Sequence, residues 1–251
     1  MPLEGRAQLI ECVPRALGAK AAAGEVAAGL LPVADFFKLQ ETFERLGRIG
    51  IAVRGRVQSV MLFSLKPMRQ LEGANILLTD ETSTSAVLLR LLLEKRYKVT
   101  PAAYERRQHA EQRHQIAPAA RERRQSPEAD ALLLIGDEAL RFQQTNTQYP
   151  FETDLAFEWW LWQHLPCVFA VWAVRKTVAA AEKKRIEAAL MRALVLNAGQ
   201  LDAIAEEHAG RLHLPAAELK LYLSRFVYRF GQQEEEGMAK FQELAHEHHL
   251  L

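Results

Sequence analysis

The sequence predicts an α/β fold, with strands alternating with helices over the first two thirds and a helical tail after them. Two observations predict it. An apolar run twice stops at a turn and passes directly into a helical pattern, in NILLTDETSTSAVLLRLLLEKRY (Asn75–Tyr97) and in DALLLIGDEAL (Asp130–Leu140). From Arg175 onward the apolar residues recur only at helical spacing.

The elements follow in order. AQLIECV (Ala7–Val13) has strand composition, and Pro14 then opens an Ala-rich helix that ends near Gly24. EVAAGLLPVADFFKL brings a short buried run and a turn at Pro32. IGIAVRGRVQSVMLFSL (Ile49–Leu65) mixes alternation with a turn at Arg54-Gly55, which predicts strand, turn, strand. NILLT is too short and too uniformly apolar to be half-exposed, so it fits a parallel strand buried on both faces. Val87, Leu88, Leu91 and Leu92 then give helix spacing, with basic residues in the last turn. Residues 101–130 are poor in large apolar groups and hold six Arg against five acids, the pattern of a solvated loop or exposed helix. All four tryptophans lie in EWWLWQHLPCVFAVW, where Pro166 ends a helix and a strand runs on to Trp172. Paired Trp at such a joint is expected to be packing; an aromatic cage for a cation is the alternative. AAAEKKRIEAALMRALVL, AIAEEHAGRL, PAAELKLYLSRFVYRF and QEEEGMAKFQELAHEHH read as consecutive amphipathic helices, with no strand among them.

Bulk properties exclude several function classes. The 251 residues are 49% hydrophobic and 25% charged, an ordinary globular balance that needs no disulfide or metal to fold. Lys+Arg 32 against Asp+Glu 31 leaves a formal charge of +1, which gives no electrostatic case for nucleic acid. Cys12 and Cys167 carry no spacing motif. The N-terminus has no basic leader with a long apolar core, and Leu165–Val174 is too short to span a bilayer, so a cytoplasmic protein without membrane contact is expected. No P-loop, GxGxxG, HExxH or GxSxG motif is present. His246, His248 and His249 could hold a metal, but they crowd a chain end and are expected to be solvated; no metal site is expected.

The hydroxyl row at Thr82, Ser83, Thr84 and Ser85 carries the chemistry. Backbone N–H groups at a helix start have no intrahelical partner and face a partial positive charge. Hydroxyls beside them can turn toward an oxyanion, so the place suits a carboxylate or phosphate. One Ser or Thr is explained by capping, which stabilises a helix by about 1 kcal/mol; four together are explained less well. Arg54 could pair a carboxylate bidentately, or be a surface arginine in a turn. Ligands of open α/β sheets collect beyond the carboxyl ends of strands. The turns at Asp80–Ser85 and Gly136-Asp137 both lie at such ends.

GEVAAGLLPVADF, RGRVQSVMLFSLKP, LTDETSTSAVLLRLLL, DALLLIGDEAL and DLAFEWWLWQHLPCVFAVWAVR resemble, in order, the successive blocks of the chorismate dehydratases of the futalosine route to menaquinone. The tail FGQQEEEGMAKFQELA is similar to that family's closing helix. The resemblance implies a two-lobed fold like the type II periplasmic solute-binding proteins. Residues 1–67 and 165–251 would form lobe one and residues 68–164 lobe two. It implies loss of water from chorismate to give 3-[(1-carboxyvinyl)oxy]benzoate, with no metal or organic cofactor. Ser83, Thr84 and Ser85 would hold a carboxylate, Ser59 would contribute from lobe one, and Gly136 would line the crevice. The proton from C3 would go to Asp137 or to a carboxylate of the substrate itself.

The resemblance also marks departures. The family opens with a strand and a Ser-Tyr-Leu-Asn turn before Pro-Leu, whereas this chain starts Met1-Pro2-Leu3, so lobe one is expected to lack that first strand. Ala156, Phe157 and Ala27 stand where the family has Gly, Glu and Asp. A non-catalytic carboxylate-binding protein of the same fold is the alternative expectation.

Overall fold

The structure is a computed structural model that describes residues 7–106 and 129–251. Residues 7–13 form no strand, and residues 7–12 are exposed. The strand expected there is therefore corrected: β composition without a ladder partner does not make a strand. Helix α1 (Pro14–Ala23) starts at its proline and ends at Gly24, whose φ of 87° is the left-handed cap. Next come β1 (Ala28–Pro32), α2 (Val33–Lys38), β2 (Phe43–Val53), β3 (Val60–Ser64) and β4 (Asn75–Leu78). Helix α3 (Thr84–Arg90) continues as a π-helical turn over Leu91–Arg96 and leads to β5 (Ala103–Arg106). The second half holds β6 (Ala131–Ile135), α4 (Gly136–Thr145), β7 (Phe151–Asp154), α5 (Leu155–Gln163) and β8 (Cys167–Arg175). The tail is α6 (Ala180–Ala198), α7 (Leu201–Leu212), α8 (Ala216–Ser224), β9 (Phe226–Arg229) and α9 (Gln232–Glu247).

The strands form two sheets, ordered β1-β8-β2-β9 and β5-β4-β6-β3-β7. The first is antiparallel throughout. In the second, β4 runs parallel to both β5 and β6, as its uniform apolarity predicts, while β3 runs antiparallel to β6 and β7. The chain changes sheet at residues 54–59 and returns at residues 164–166. Strand β3 thus pairs wholly within the second sheet, upstream of the line drawn at residue 67 from the sequence. Strand β9 was not expected. FVYR follows α8 with helix-like spacing, but its pairing with Ile49, Ala52 and Val53 of β2 overrides that local pattern.

One apolar core joins both sheets. Leu31, Ala52 and Val171 of the first sheet share it with Leu62, Ile76 and Leu133 of the second. Trp159 is fully buried in it, edge-on to Trp162 and 5.7 Å from the Phe241 ring, and its Nε1 donates to the Pro166 carbonyl at 3.3 Å. The tryptophan at this joint is core, so the cation cage is set aside. Gly237 of α9 faces the same carbonyl, where an added Cβ would lie 2.2 Å from the Pro166 oxygen.

Candidate functional site

A cleft of about 650 Å³, counting space open to solvent, lies between the sheets. Leu30, Ile51, Phe169 and Phe226 line it from the first sheet, Val60 and Ile135 from the second, and Gly136 from the start of α4. Val57 and Ser59 reach it from the crossover, and Thr82, Thr84 and Ser85 from the start of α3. Its walls are mainly apolar, and none of the lining residues carries a titratable side chain.

The hydroxyls divide into two sets. Ser83 Oγ donates to Asp35 Oδ2 at 2.7 Å, on α2. Thr84 Oγ1 donates to the Phe169 carbonyl of β8 at 3.1 Å and accepts from the Ala34 amide at 3.3 Å. Both therefore tie the start of α3 to elements of the first sheet's side. Ser59, Thr82 and Ser85 are the second set. They are 4%, 3% and 3% exposed and line the cleft, and among the described residues neither Thr82 nor Ser85 spends its hydroxyl proton on a backbone or side-chain contact of the kind that engages Ser83 and Thr84. Thr82 Oγ1 accepts from the Ser85 amide at 3.1 Å, and Ser59 Oγ bonds Tyr222 at 2.9 Å. Three buried hydroxyls in the lining of an otherwise apolar cleft leave donor capacity for a ligand that can accept it.

Backbone geometry fixes these positions. Gly136 has φ of 57°, a left-handed conformation that lets its amide turn back to the Ser59 carbonyl at 2.7 Å. The Asp154 carboxylate accepts from the amides of Val57 and Gln58, each at 2.8 Å, and caps α5 through Phe157 at 3.1 Å. Burial raises its pKa above the usual value, against the lowering effect of these amides. Asp35 is likewise raised by burial, with the Ser83 bond opposing. The Arg106 guanidinium donates to the Thr82 carbonyl at 3.1 Å.

Of the residues singled out in the sequence, Ser59, Thr84, Ser85 and Gly136 meet in the cleft. Ser83, Arg54 and Asp137 do not line it. Arg54 pairs with the buried Glu234 at 2.8 Å, a carboxylate 180 residues away. Asp137 is part-exposed and pairs with Arg211 at 3.2 Å. Asp154 and Tyr222 were missed, and of these only Asp154 had a local signal, as an acid immediately before a helical pattern. No group of three metal-ligating side chains occurs among the described residues, and most of 101–130 lies outside them.

The family profile for menaquinone biosynthesis matches residues 1–247. The chain belongs to this family. A chorismate dehydratase of Thermus thermophilus is 32% identical over 250 residues, covering 94% of this chain and 86% of that protein. Among solved structures, an Archaeoglobus fulgidus protein superposes with a TM-score of 0.72 at 19% identity, covering 98% of this chain and 87% of that one. The alkanesulfonate-binding protein of Xanthomonas axonopodis pv. citri, bound to MOPS, gives 0.62 at 14% identity, over 95% and 81% of the chains. A Candida albicans protein described as having the generic periplasmic binding protein fold also gives 0.62, at 10% identity, over 95% and 80%. This member of the menaquinone biosynthesis family thus has the periplasmic-binding-protein-like α/β fold, with a helical C-terminal segment. Among the described residues, no helix is long and apolar enough to cross a membrane.

Proposed function

We propose that this protein is a chorismate dehydratase, a hydro-lyase that converts chorismate to 3-[(1-carboxyvinyl)oxy]benzoate in the cytoplasm. The observation that carries this reading is the set of donors at Ser59, Thr82 and Ser85 in a cleft otherwise walled by apolar groups. Chorismate combines a carbocyclic ring with two carboxylates. The apolar walls suit the ring, and buried hydroxyl donors suit a carboxylate without needing a fixed cation. The relative of known activity, similar over nearly the whole chain, supports the same substrate.

The reaction takes a proton from C3 and hydroxide from C4, which leave as water while the ring becomes aromatic. The step is redox-neutral, so positioning and one proton acceptor are what the protein must supply. The described cleft lining holds no acid or imidazole, and Asp137 is held by Arg211. These facts favour a carboxylate of the bound substrate as the acceptor, with the hydroxyls fixing its place.

In this reading the two sheets are the cores of two lobes. Residues 54–59 and 164–166 are the crossovers, and Ser83 and Thr84 are struts that hold the lobes together around the ligand. Thr84 earns this role by bonding α2 and β8 at once. Closure excludes water and strengthens each hydroxyl contact to the anion.

Incubation with chorismate and no added cofactor tests the proposal. Chorismate is expected to disappear as an aromatic ultraviolet absorber accumulates. Ser85→Ala is expected to lower kcat/KM by about tenfold or more, the magnitude of a hydrogen bond to a charged group. Binding of chorismate without loss of water would mark a carboxylate-binding protein of this fold instead.

A further inference from the structure

We propose that Tyr222, on helix α8 of the tail, is a positioning residue that makes the Ser59 hydroxyl a directed donor into the cleft. This rests on the carboxylate-binding reading of the cleft. Tyr222 and Ser59 share a hydrogen bond of 2.9 Å, and only one of their two protons lies in it. A carboxylate in the cleft has no proton to give, so Ser59 must donate to it. The Tyr222 proton is then the one that fills the Ser59–Tyr222 bond. A hydroxyl that accepts one hydrogen bond becomes a stronger donor in the next, so the pair acts as a short relay. The Ser59 main chain cannot turn away, because its carbonyl is held by the Gly136 amide at 2.7 Å.

The setting of Tyr222 supports the assignment. Its ring stands edge-on to Phe226 at 5.1 Å, and Phe226 itself lines the cleft. Burial raises its pKa to about 12, so the phenol keeps its proton at any working pH. The same helical hairpin reaches the second sheet's side three more times. Arg211 pairs with Asp137, the Leu212 carbonyl accepts from Gln144 Nε2 at 3.3 Å, and Arg225 bonds Gln58. Helices α7 and α8 thus form a clasp from the first sheet's chain onto the edge of the cleft. Tyr222 is the clasp residue that touches a cleft-lining side chain.

A double-mutant cycle tests this with Tyr222→Phe and Ser59→Ala, alone and together. Phe keeps the ring against Phe226 and removes only the hydroxyl. KM for chorismate is expected to rise about three- to tenfold in Tyr222→Phe with kcat nearly unchanged, as for a lost hydrogen bond to uniform binding. In the Ser59→Ala background the same change should have almost no effect. The dissociation constant for benzoate, read by calorimetry on the four proteins, should show the same coupling. Equal effects of Tyr222→Phe in both backgrounds would overturn the relay and leave Tyr222 a packing residue. Coupled effects on benzoate without chorismate turnover would overturn the dehydratase reading alone. No benzoate or chorismate binding by the unaltered protein would overturn both.

Discussion

Gly237→Ala should destabilise the protein, although alanine is the better helix former. Gly237 lies inside α9, and replacing a helix-interior glycine by alanine gains about 0.8–1.0 kcal/mol in propensity. The new methyl would fall 2.2 Å from the Pro166 carbonyl oxygen and 3.3 Å from its carbon, so backbone has to move. Overpacking of this kind costs about 1–3 kcal/mol. The same carbonyl accepts the indole N–H of the fully buried Trp159, and losing that bond adds about 1 kcal/mol. The net loss is about 1–3 kcal/mol, with about 2–4 °C in Tm for each kcal/mol in a chain of this size. Gly210→Ala in α7 is the control, because an added Cβ there meets nothing within 4 Å. It should stabilise by about 0.5–1 kcal/mol. Urea and thermal unfolding of both variants measure these signs. A Gly237→Ala protein as stable as the unaltered chain would refute the packing of α9 on the return crossover.

Asp154→Ala strands the amides of Val57, Gln58 and Phe157, and should cost about 2–4 kcal/mol in urea unfolding. It should also raise KM for chorismate, since Val57 and Ser59 line the cleft. Acid unfolding should depend on Glu234 and Glu235. Burial pushes the Glu234 pKa up, but its bonds to Arg54 and the Gly231 amide outweigh this and hold it below its ordinary 4.5; Arg45 lowers Glu235 likewise. Their stabilisation is fully present above the unfolded value and is lost as pH falls through the depressed folded values. Glu234→Gln should therefore flatten the loss of urea midpoint below about pH 4.5, and an unchanged acid slope would contradict the pairing. Asp35 and Asp154 act with the opposite sign: burial raises their folded pKa, so their ionisation opposes folding as pH rises through those values.

The parts of this fold legible in the sequence are those set by local pattern. The unbroken apolarity of Ile76–Leu78 and Ala131–Leu134 marks strands buried inside a sheet, and the hydroxyl row marks the start of α3. Strand β9 was hidden because four residues carry little pattern of their own and take their conformation from β2. Ala7–Val13 shows the converse, strand composition with no partner to pair. At the site, Ser59, Ser85 and Gly136 were legible as donors and turn residues next to strands. That Ser83 and Thr84 spend their protons inside the protein was not, because the acceptors that engage them lie 48 and 85 residues away. Arg54 has the charge to bind a substrate carboxylate, yet its partner Glu234 lies in the last helix. Tyr222 reaches the cleft's rim only because the helical tail folds back over it.

A crystal structure with the product 3-[(1-carboxyvinyl)oxy]benzoate tests the central claim most directly. A product carboxylate within hydrogen-bonding distance of Ser59 Oγ and Ser85 Oγ, with the ring between Phe169 and Ile135, is the predicted result. A product molecule bound outside this cleft, or one whose carboxylates avoid both hydroxyls, would contradict it.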